Sequence, residues 1–234
     1  MTVRWFDRLP STMDTAHALA EAGAGHGTAI AAREQDAGRG RRGRAWASPR
    51  GGLWLSVICR PASRSTVECL SLRAGLAVAD ALEATESGLP PLQIKWPNDL
   101  YLEDRKVAGV LCEARWDGPS LAWVVVGVGV NVANELPEDL GTAAVTLLAS
   151  VPSAEPDSLA EPVARAVAKA GLVTGPLDDA EFEQFRRRDW LWGRAVRAPV
   201  AGRAAGIARD GALLVKEPSG AMTRVAAGEV LVRA

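Results

Sequence analysis

The chain has 234 residues, of which 48% are hydrophobic and 24% charged, and its formal net charge is −1. These values are typical of a globular protein with one large domain or one domain and a small appendage, and they exclude a generally basic protein. No apolar run approaches the roughly 20 residues of a membrane span, and the N-terminus lacks the apolar core of a signal peptide. Three scattered cysteines favour a reducing cytoplasm, and only two histidines argue against a histidine zinc site or a Ser–His–Asp triad.

The first half of the chain is predicted to mix helices and strands. The stretch "PSTMDTAHALAEAG" predicts a helix with Ser11 or Thr12 as its N-cap. Residues 27–34 and 51–60 read as buried strands on either side of a glycine- and arginine-rich loop. Residues 66–86 carry apolar side chains at helical spacing.

A hairpin and a central strand follow. The strand "LQIKW" is ended by Pro97, and "NDLYLEDRK" turns the chain back into "VAGVLCEARW". Residues 121–133 are continuous and β-branched, which predicts a central, buried strand. The next stretch reads as a loop with a helix at 140–149, and helices are predicted at 158–170 and 178–189.

From about Trp192 the sequence changes to five strand-sized runs with hairpin signals at Asp210-Gly211 and Ser219-Gly220, which predict a small closed β-barrel. Because the main body lacks regular βαβ alternation, the fold class is predicted to be α+β. We expect a mixed-sheet domain over residues 1–190 and the barrel over 191–234.

The loop "GRGRRGRAW", residues 38–46, places four arginines in six positions. Glycines let the backbone approach a ligand, and arginines bind carboxylates and phosphates in bidentate fashion. A solvated surface loop, a nucleic-acid contact and a phosphate-bearing small molecule all remain open on these residues alone. The repulsion among the arginines predicts a loop that is mobile until an anion binds.

Two further segments carry candidate chemistry. In "KWPNDLYLEDRKVAGVLCE", residues 95–113, the hairpin should bring Lys106 back toward Lys95, beside Asn98 and Asp99. Those groups suit an anion and a metal, although a well-formed turn with solvated charges would look the same. In "GVGVNV", residues 127–132, glycines on a buried strand would leave room for a ligand, or serve packing alone.

Taken in this order, the three segments resemble the motifs of the biotin protein ligases. The resemblance extends to "ST" at 11–12 and to the C-terminal barrel, although Met13 stands where the family often has asparagine. It implies a catalytic domain like that of class II aminoacyl-tRNA synthetases with an SH3-like barrel. Many relatives carry an N-terminal helix-turn-helix domain, for which this chain has no room, so we expect the monofunctional type and no specific DNA binding.

The resemblance also implies roles for individual residues. Lys106 and Arg41 would be catalytic. The biotin site would contain Ser11, Thr12, Gln35, Gly38, Arg39, Gly40, Arg41, Lys106 and Gly109. The nucleotide site would contain Arg41, Arg44, Trp46, Asn98, Lys106 and Asn131, and Asn98 or Asp99 could hold the Mg²⁺ of ATP.

The activity implied is formation of biotinyl-5'-AMP from biotin and ATP, followed by transfer of biotin to a lysine of a biotin carboxyl carrier domain. Biotin and MgATP would be substrates, with no permanently bound cofactor. The resemblance implies a cytoplasmic monomer or weak homodimer without membrane contact. A lipoate or octanoyl ligase and a nucleic-acid-binding module are the alternatives.

Overall fold

The computed structural model describes residues 2–61, 63, 65–138 and 143–232. Its helices are α1 (Thr12–Glu21), α2 (Thr66–Thr85), α3 (Pro156–Ala170) and α4 (Asp179–Arg188). Its first seven strands are β1 (Val3–Leu9), β2 (Ala29–Gln35), β3 (Leu53–Cys59), β4 (Gln93–Lys95), β5 (Asp99–Leu102), β6 (Arg105–Asp117) and β7 (Ser120–Val130). The remaining strands are β8 (Ala195–Ala198), β9 (Gly202–Ile207), β10 (Leu213–Lys216), β11 (Met222–Val225) and β12 (Leu231–Val232).

Seven strands form one mixed sheet in the order β1-β2-β3-β7-β6-β5-β4. Strands β1 and β2 are parallel and every other neighbouring pair is antiparallel. The prediction that residues 121–133 form a central strand is confirmed, since β7 is fourth of seven. The sequence reading missed β1, whose "VRWFDRL" mixes charged and aromatic residues without a run of buried positions.

The two faces of this sheet are covered differently. Helices α2 and α3 pack on one face, where the even-numbered valines of β7 from Val124 to Val130 point into the main core. Helix α1 covers part of the other face, against Ile30, Ile58 and Val125. Because side chains alternate along a strand, Gly127 and Gly129 lie on the α1 face of the sheet, near the N-terminal end of α1.

Local sequence explains where the helices begin. Helix α1 starts after Ser11, whose Oγ accepts a hydrogen bond from the Met13 N–H at 3.2 Å, as the sequence predicted. Helix α4 opens with a reciprocal capping box between Asp178 and Glu181. The helix expected at 140–149 is reduced to a 3₁₀ turn at Leu147–Ala149, and residues 139–142 lie outside the described part of the chain.

The five C-terminal strands form an antiparallel sheet in the order β11-β10-β9-β8-β12. This confirms the five predicted strands, and the antiparallel order is consistent with the predicted SH3-like barrel. The sheet shares a core with the main body, because Leu213 and Val215 pack in one cluster with Leu72, Ile94 and Trp96. None of the helices in the described part of the chain is long and apolar enough to cross a membrane.

Candidate functional site

A pocket of about 430 Å³ opens on the α1 face of the large sheet, over β6 and β7. Residues from α1, from the loop at 38–46, from the β4–β5 hairpin and from the C-terminal sheet line its walls. It therefore brings together all three sequence segments that carried candidate chemistry. Every predicted site residue lines the pocket except Gly38.

One region of the pocket is built from uncharged polar groups: Ser11, Thr12 and Gln35. The Gln35 Oε1 accepts hydrogen bonds from the Thr12 N–H at 2.8 Å and from the Thr12 hydroxyl at 3.0 Å. The Gln35 Nε2 donates to the Ser48 hydroxyl at 2.8 Å. Because Gln35 is fixed at both ends of its amide, this polar region is rigid and keeps hydroxyl and amide groups available for a ligand with both donors and acceptors.

Gly38 contributes to this region from behind the wall. A Cβ at Gly38 would lie 2.4 Å from the Ser48 hydroxyl and 2.5 Å from the Trp46 carbonyl oxygen. Any side chain there would displace the groups that hold Gln35. Gly38 therefore supports the polar region without lining it.

The arginines of the loop are paired with acidic or polar groups. Arg39 donates to Asp14 at 2.6 Å and to Glu113 at 3.3 Å, and Arg44 forms an ion pair with Glu229 in the loop between β11 and β12. Arg41 donates to the Asn98 carboxamide oxygen at 3.3 Å. These acidic partners offset part of the repulsion among the arginines from which the mobility of the loop was predicted.

The burial of Arg41 distinguishes it from its neighbours. Arg41 is partly buried, and this burial lowers the pKa of its guanidinium. Arg42 and Arg44 are exposed. A partly desolvated cation gains more from an anionic ligand than a solvated one, so Arg41 is the loop arginine best suited to bind an anion inside the pocket.

A second region of the pocket is cationic and comes from the β4–β5–β6 hairpins. The Lys106 Nζ lies 2.7 Å from the Asp99 Oδ1, and 4.9 Å from the centroid of the Trp46 ring. Lys95 lies opposite Asp99 in the backbone pairing of β4 with β5, and burial lowers the pKa of its ammonium group. The sequence prediction that the hairpin returns Lys106 to its base is confirmed.

The glycines of β6 and β7 make room for protein side chains. A Cβ at Gly127 would lie 2.6 Å from the Met13 sulfur, and one at Gly129 would lie 2.8 Å from the Trp46 indole nitrogen. Gly109 likewise faces the Trp46 ring. Of the two interpretations left open by the sequence, room for a ligand or packing alone, the contacts favour packing, because Met13 and Trp46 occupy the space directly above these glycines.

Two asparagines occupy fixed positions beside these glycines. Asn98 donates from Nδ2 to the Val110 carbonyl at 2.8 Å, so its amide is held by that bond and by Arg41. Asn131 directly follows β7 and is buried. Its side-chain Oδ1 accepts a hydrogen bond from the Asn134 side-chain Nδ2 at 3.4 Å. Among the described residues, no group of three or more His, Cys, Asp or Glu side chains could hold a metal ion.

Comparison with known proteins agrees with this geometry. The family model described as "Biotin/lipoate A/B protein ligase family" matches residues 5–131, which is more than half of the chain and includes the first two motifs and residues 127–131 of the third. The chain belongs to the biotin/lipoate A/B protein ligase family. A second model, described as "Biotin protein ligase C terminal domain", matches residues 193–233.

Individual members of the biotin/lipoate ligase family agree with this assignment. A biotin–[acetyl-CoA-carboxylase] ligase of Paracoccus denitrificans is 35% identical over 208 residues, covering 82% of this chain and 85% of the relative. The bifunctional ligase/repressor BirA of Bacillus subtilis is 38% identical over 148 residues, which cover 61% of this chain but only 45% of that protein. A biotin protein ligase from Aquifex aeolicus, solved with biotin and ATP, superposes with a TM-score of 0.80 at 27% identity, covering 99% of this chain and 98% of that one.

The structure also adds residues that the sequence reading of this ligase-family chain did not select. Glu229 lines the pocket from the loop between β11 and β12, 185 residues from its partner Arg44. No local pattern points to it, because the contact depends on how the two sheets pack. Glu113 is the last residue of the second motif, and the sequence alone did not predict its hydrogen bond with Arg39.

Proposed function

We propose that this chain is a biotin protein ligase, which activates biotin with MgATP and transfers it to a lysine of a biotin carboxyl carrier domain. The observation that carries the proposal is the adjacency, in one pocket, of an uncharged polar region and a cationic region. Biotin has a ureido ring with donors and an acceptor at one end, and a carboxylate at the other. Such a molecule matches both regions at once.

In the first step a carboxylate oxygen of biotin attacks the α-phosphorus of ATP, and pyrophosphate leaves. Two anions must approach each other, so the site needs fixed positive charge where charge accumulates. Arg41 and Lys106 would supply it. Trp46 would pack near the adenine, and Asn131 would line the adenylate site.

In the second step the ε-amine of the carrier lysine attacks the acyl carbon of biotinyl-5'-AMP. The bond to the phosphate oxygen breaks, AMP leaves, and the amine loses a proton as the amide forms. Because the anhydride is already activated, no nucleophile of the enzyme is required.

Mg²⁺ would enter as part of the ATP substrate. It prefers oxygen ligands and is commonly held by one or two carboxylates together with substrate phosphates. Asp99 fits that role better than Asn98, because it is a carboxylate, of which Oδ1 contacts Lys106, whereas both ends of the Asn98 amide are used by Arg41 and Val110. We assign the metal-facing position to Asp99.

A lipoate ligase is the nearest alternative, because the family includes both. The polar region favours biotin, since the dithiolane ring of lipoate could not use the hydrogen-bonding capacity that Ser11, Thr12 and Gln35 retain beyond their contacts within the protein. A site built to hydrogen-bond a substrate rejects an analogue that lacks those groups by about 10⁴-fold. The protein with MgATP and biotin should release pyrophosphate and form biotinyl-5'-AMP, detected by mass spectrometry, whereas lipoate in place of biotin should give no adenylate.

Transfer is tested with a biotin carboxyl carrier domain as acceptor. The domain should gain one biotinyl group, and its variant with arginine in place of the acceptor lysine should gain none. Turnover of lipoate at a rate equal to biotin would assign the chain to the other branch of the family. We further propose a cytoplasmic protein that is a monomer or weak homodimer, with residues 1–190 and 191–234 as its two domains.

We also propose that the chain does not bind DNA specifically. The loop arginines are engaged by Asp14, Glu113 and Glu229, and the net charge of −1 provides little counterion-release energy. We expect no mobility shift of a defined duplex at physiological salt with micromolar protein. A saturable shift below that concentration would show that the loop has a second role.

The loop at 38–44 is expected to close on its ligand. Fixing seven residues costs on the order of 10 kcal/mol in backbone entropy, which the ion pairs at the two ends of the loop offset only in part. At its tip Arg42 is exposed and has φ +60°, so the unliganded loop should be cut by trypsin between Arg39 and Arg44. Biotin plus MgATP at about 100 times their Kd should slow this cleavage by up to about 100-fold. Equal cleavage with and without ligands would mean that the loop does not close.

A further inference from the structure

A buried histidine lies behind the wall of the pocket and is not used by the proposed reaction. His17 of α1 is 8% exposed. Its Nδ1 accepts a hydrogen bond from the Trp123 indole N–H at 3.0 Å, and its Nε2 lies 3.1 Å from the Glu113 Oε2. An indole nitrogen can only donate, so Nδ1 carries no proton and the proton of the neutral ring sits on Nε2. His17 therefore donates to Glu113.

The Glu113 carboxylate joins this histidine to the loop. Its second oxygen, Oε1, accepts from the Arg39 Nε at 3.3 Å, and Arg39 also donates to Asp14 at 2.6 Å. Arg39 forms an isolated bridge with Ala45, and this bridge closes the base of the loop. The hydrogen bonds thus run without a break from β7 through α1 and β6 to that base.

The neutrality of His17 matters for this arrangement. Burial, together with the nearby charge of Arg115, lowers the pKa of the imidazole, while the Glu113 carboxylate opposes that shift. A cationic donor in its place would compete with Arg39 for the charge of Glu113. A neutral N–H orients the carboxylate and leaves its charge to the arginine.

We propose that His17 is a positioning residue: through Glu113 it holds Arg39 in place, and thereby fixes the base of the loop that covers the pocket. The consequence for ligand binding rests on the proposed ligase function, whereas the consequence for the loop does not. The bond from Trp123 has the matching role of keeping His17 in its donating tautomer.

The first test needs no ligand and no activity. Trypsin digestion of the unliganded protein, with mass spectrometry of the products, gives the rate of cleavage after Arg39 separately from cleavage at the tip. His17→Leu and the isosteric Glu113→Gln should each raise the Arg39 rate about tenfold, the usual consequence of losing one hydrogen bond to a charged group. His26→Gln is the matched control, because the contacts of His26 with the Arg60 N–H and the Ala168 backbone lie outside this network, and it should leave the rate unchanged.

The second test separates positioning from a general structural role. His17→Leu should raise the biotin KM of adenylate formation about tenfold in the otherwise native enzyme, and should have no further effect in an Arg39→Met background. Equal effects of His17→Leu in both backgrounds, or an unchanged Arg39 cleavage rate in both Glu113→Gln and His17→Leu, would overturn the proposal. If His17→Leu does not fold, Glu113→Gln and Trp123→Phe replace it both in the measurement of cleavage after Arg39 and in the comparison of KM between the native and Arg39→Met backgrounds. A wild-type enzyme that forms no adenylate would contradict the proposed function, while the proteolysis result would still decide the role of His17.

Discussion

Lys106→Ala is expected to lower the kcat/KM of adenylate formation by about 100- to 1,000-fold, the usual loss when one charge-stabilising group is removed from an acyl- or phosphoryl-transfer site. Lys106 has its ammonium in the pocket, 2.7 Å from Asp99 and 4.9 Å from the centre of the Trp46 ring. From there it can reach a carboxylate and a phosphate bound between the two regions. Alanine removes this cation, so of the two side chains proposed to stabilise the charge of the transition state only Arg41 remains.

The fold should survive this substitution. The Lys106–Asp99 pair is about one quarter exposed on each side, and ion pairs with access to solvent contribute only about 0–1 kcal/mol to stability. The melting temperature should therefore change little. Lys169→Ala is the matched control, because Lys169 is exposed on α3, on the opposite face of the sheet from the pocket. A Lys106→Ala enzyme with near-normal adenylate formation would remove Lys106 from the proposed mechanism.

The sequence predicted the secondary structure well where apolar periodicity is strong. The central strand at 121–133 and the helix at 66–86 were found because each has one dominant pattern over many residues. Strand β1 was missed because it is an edge strand, paired on one side only, and its exposed positions carry Arg4, Asp7 and Arg8. Edge strands need fewer buried residues, so they leave a weaker signal.

The sequence predicted which residues belong to the candidate site, but not which of their side chains contact each other. The resemblance to the biotin protein ligases placed Ser11, Gln35, Lys106 and Asn131 in one site, and the structure brings all four to one pocket. The partner of each charge depended on tertiary packing. The pairing of Arg44 with Glu229 requires the C-terminal sheet to be placed over the loop, and no spacing in the chain encodes that distance.

The space above the glycines shows a second limit of sequence reasoning. A glycine on a buried strand indicates that something approaches the backbone closely, but not what approaches it. At Gly127 and Gly129 the neighbours are Met13 and Trp46. These two side chains come from different elements, so only the assembled sheet and helix identify them.

Deleting the C-terminal sheet, by ending the chain at Arg188, is expected to prevent stable folding and abolish adenylate formation. The sheet covers apolar side chains of the main body, among them Leu72, Leu76 and Trp96, each at most 3% exposed. Uncovering one such side chain costs about 1.5–3 kcal/mol, so uncovering several approaches the roughly 5–15 kcal/mol that stabilises a typical domain. Circular dichroism and thermal melting should show a protein without a cooperative transition.

Point variants separate the loss of the core from the loss of the loop contact. Leu213→Ala removes a fully buried side chain of the shared core and should cost about 2–5 kcal/mol, whereas Leu231→Ala, at 44% exposure, should cost less than about 0.5 kcal/mol. Glu229→Gln leaves the core intact and removes only the charge that pairs with Arg44, so it should melt like the native protein and speed tryptic cleavage after Arg44. A truncated chain that melts cooperatively and forms adenylate at the native rate would show that the main body is stable alone. Removing one half of a core shared by two sheets exposes the apolar side chains of the other half to water. A stable truncated chain would therefore mean that the buried contacts of Leu72 and Trp96 contribute far less to the stability of the fold than their burial implies.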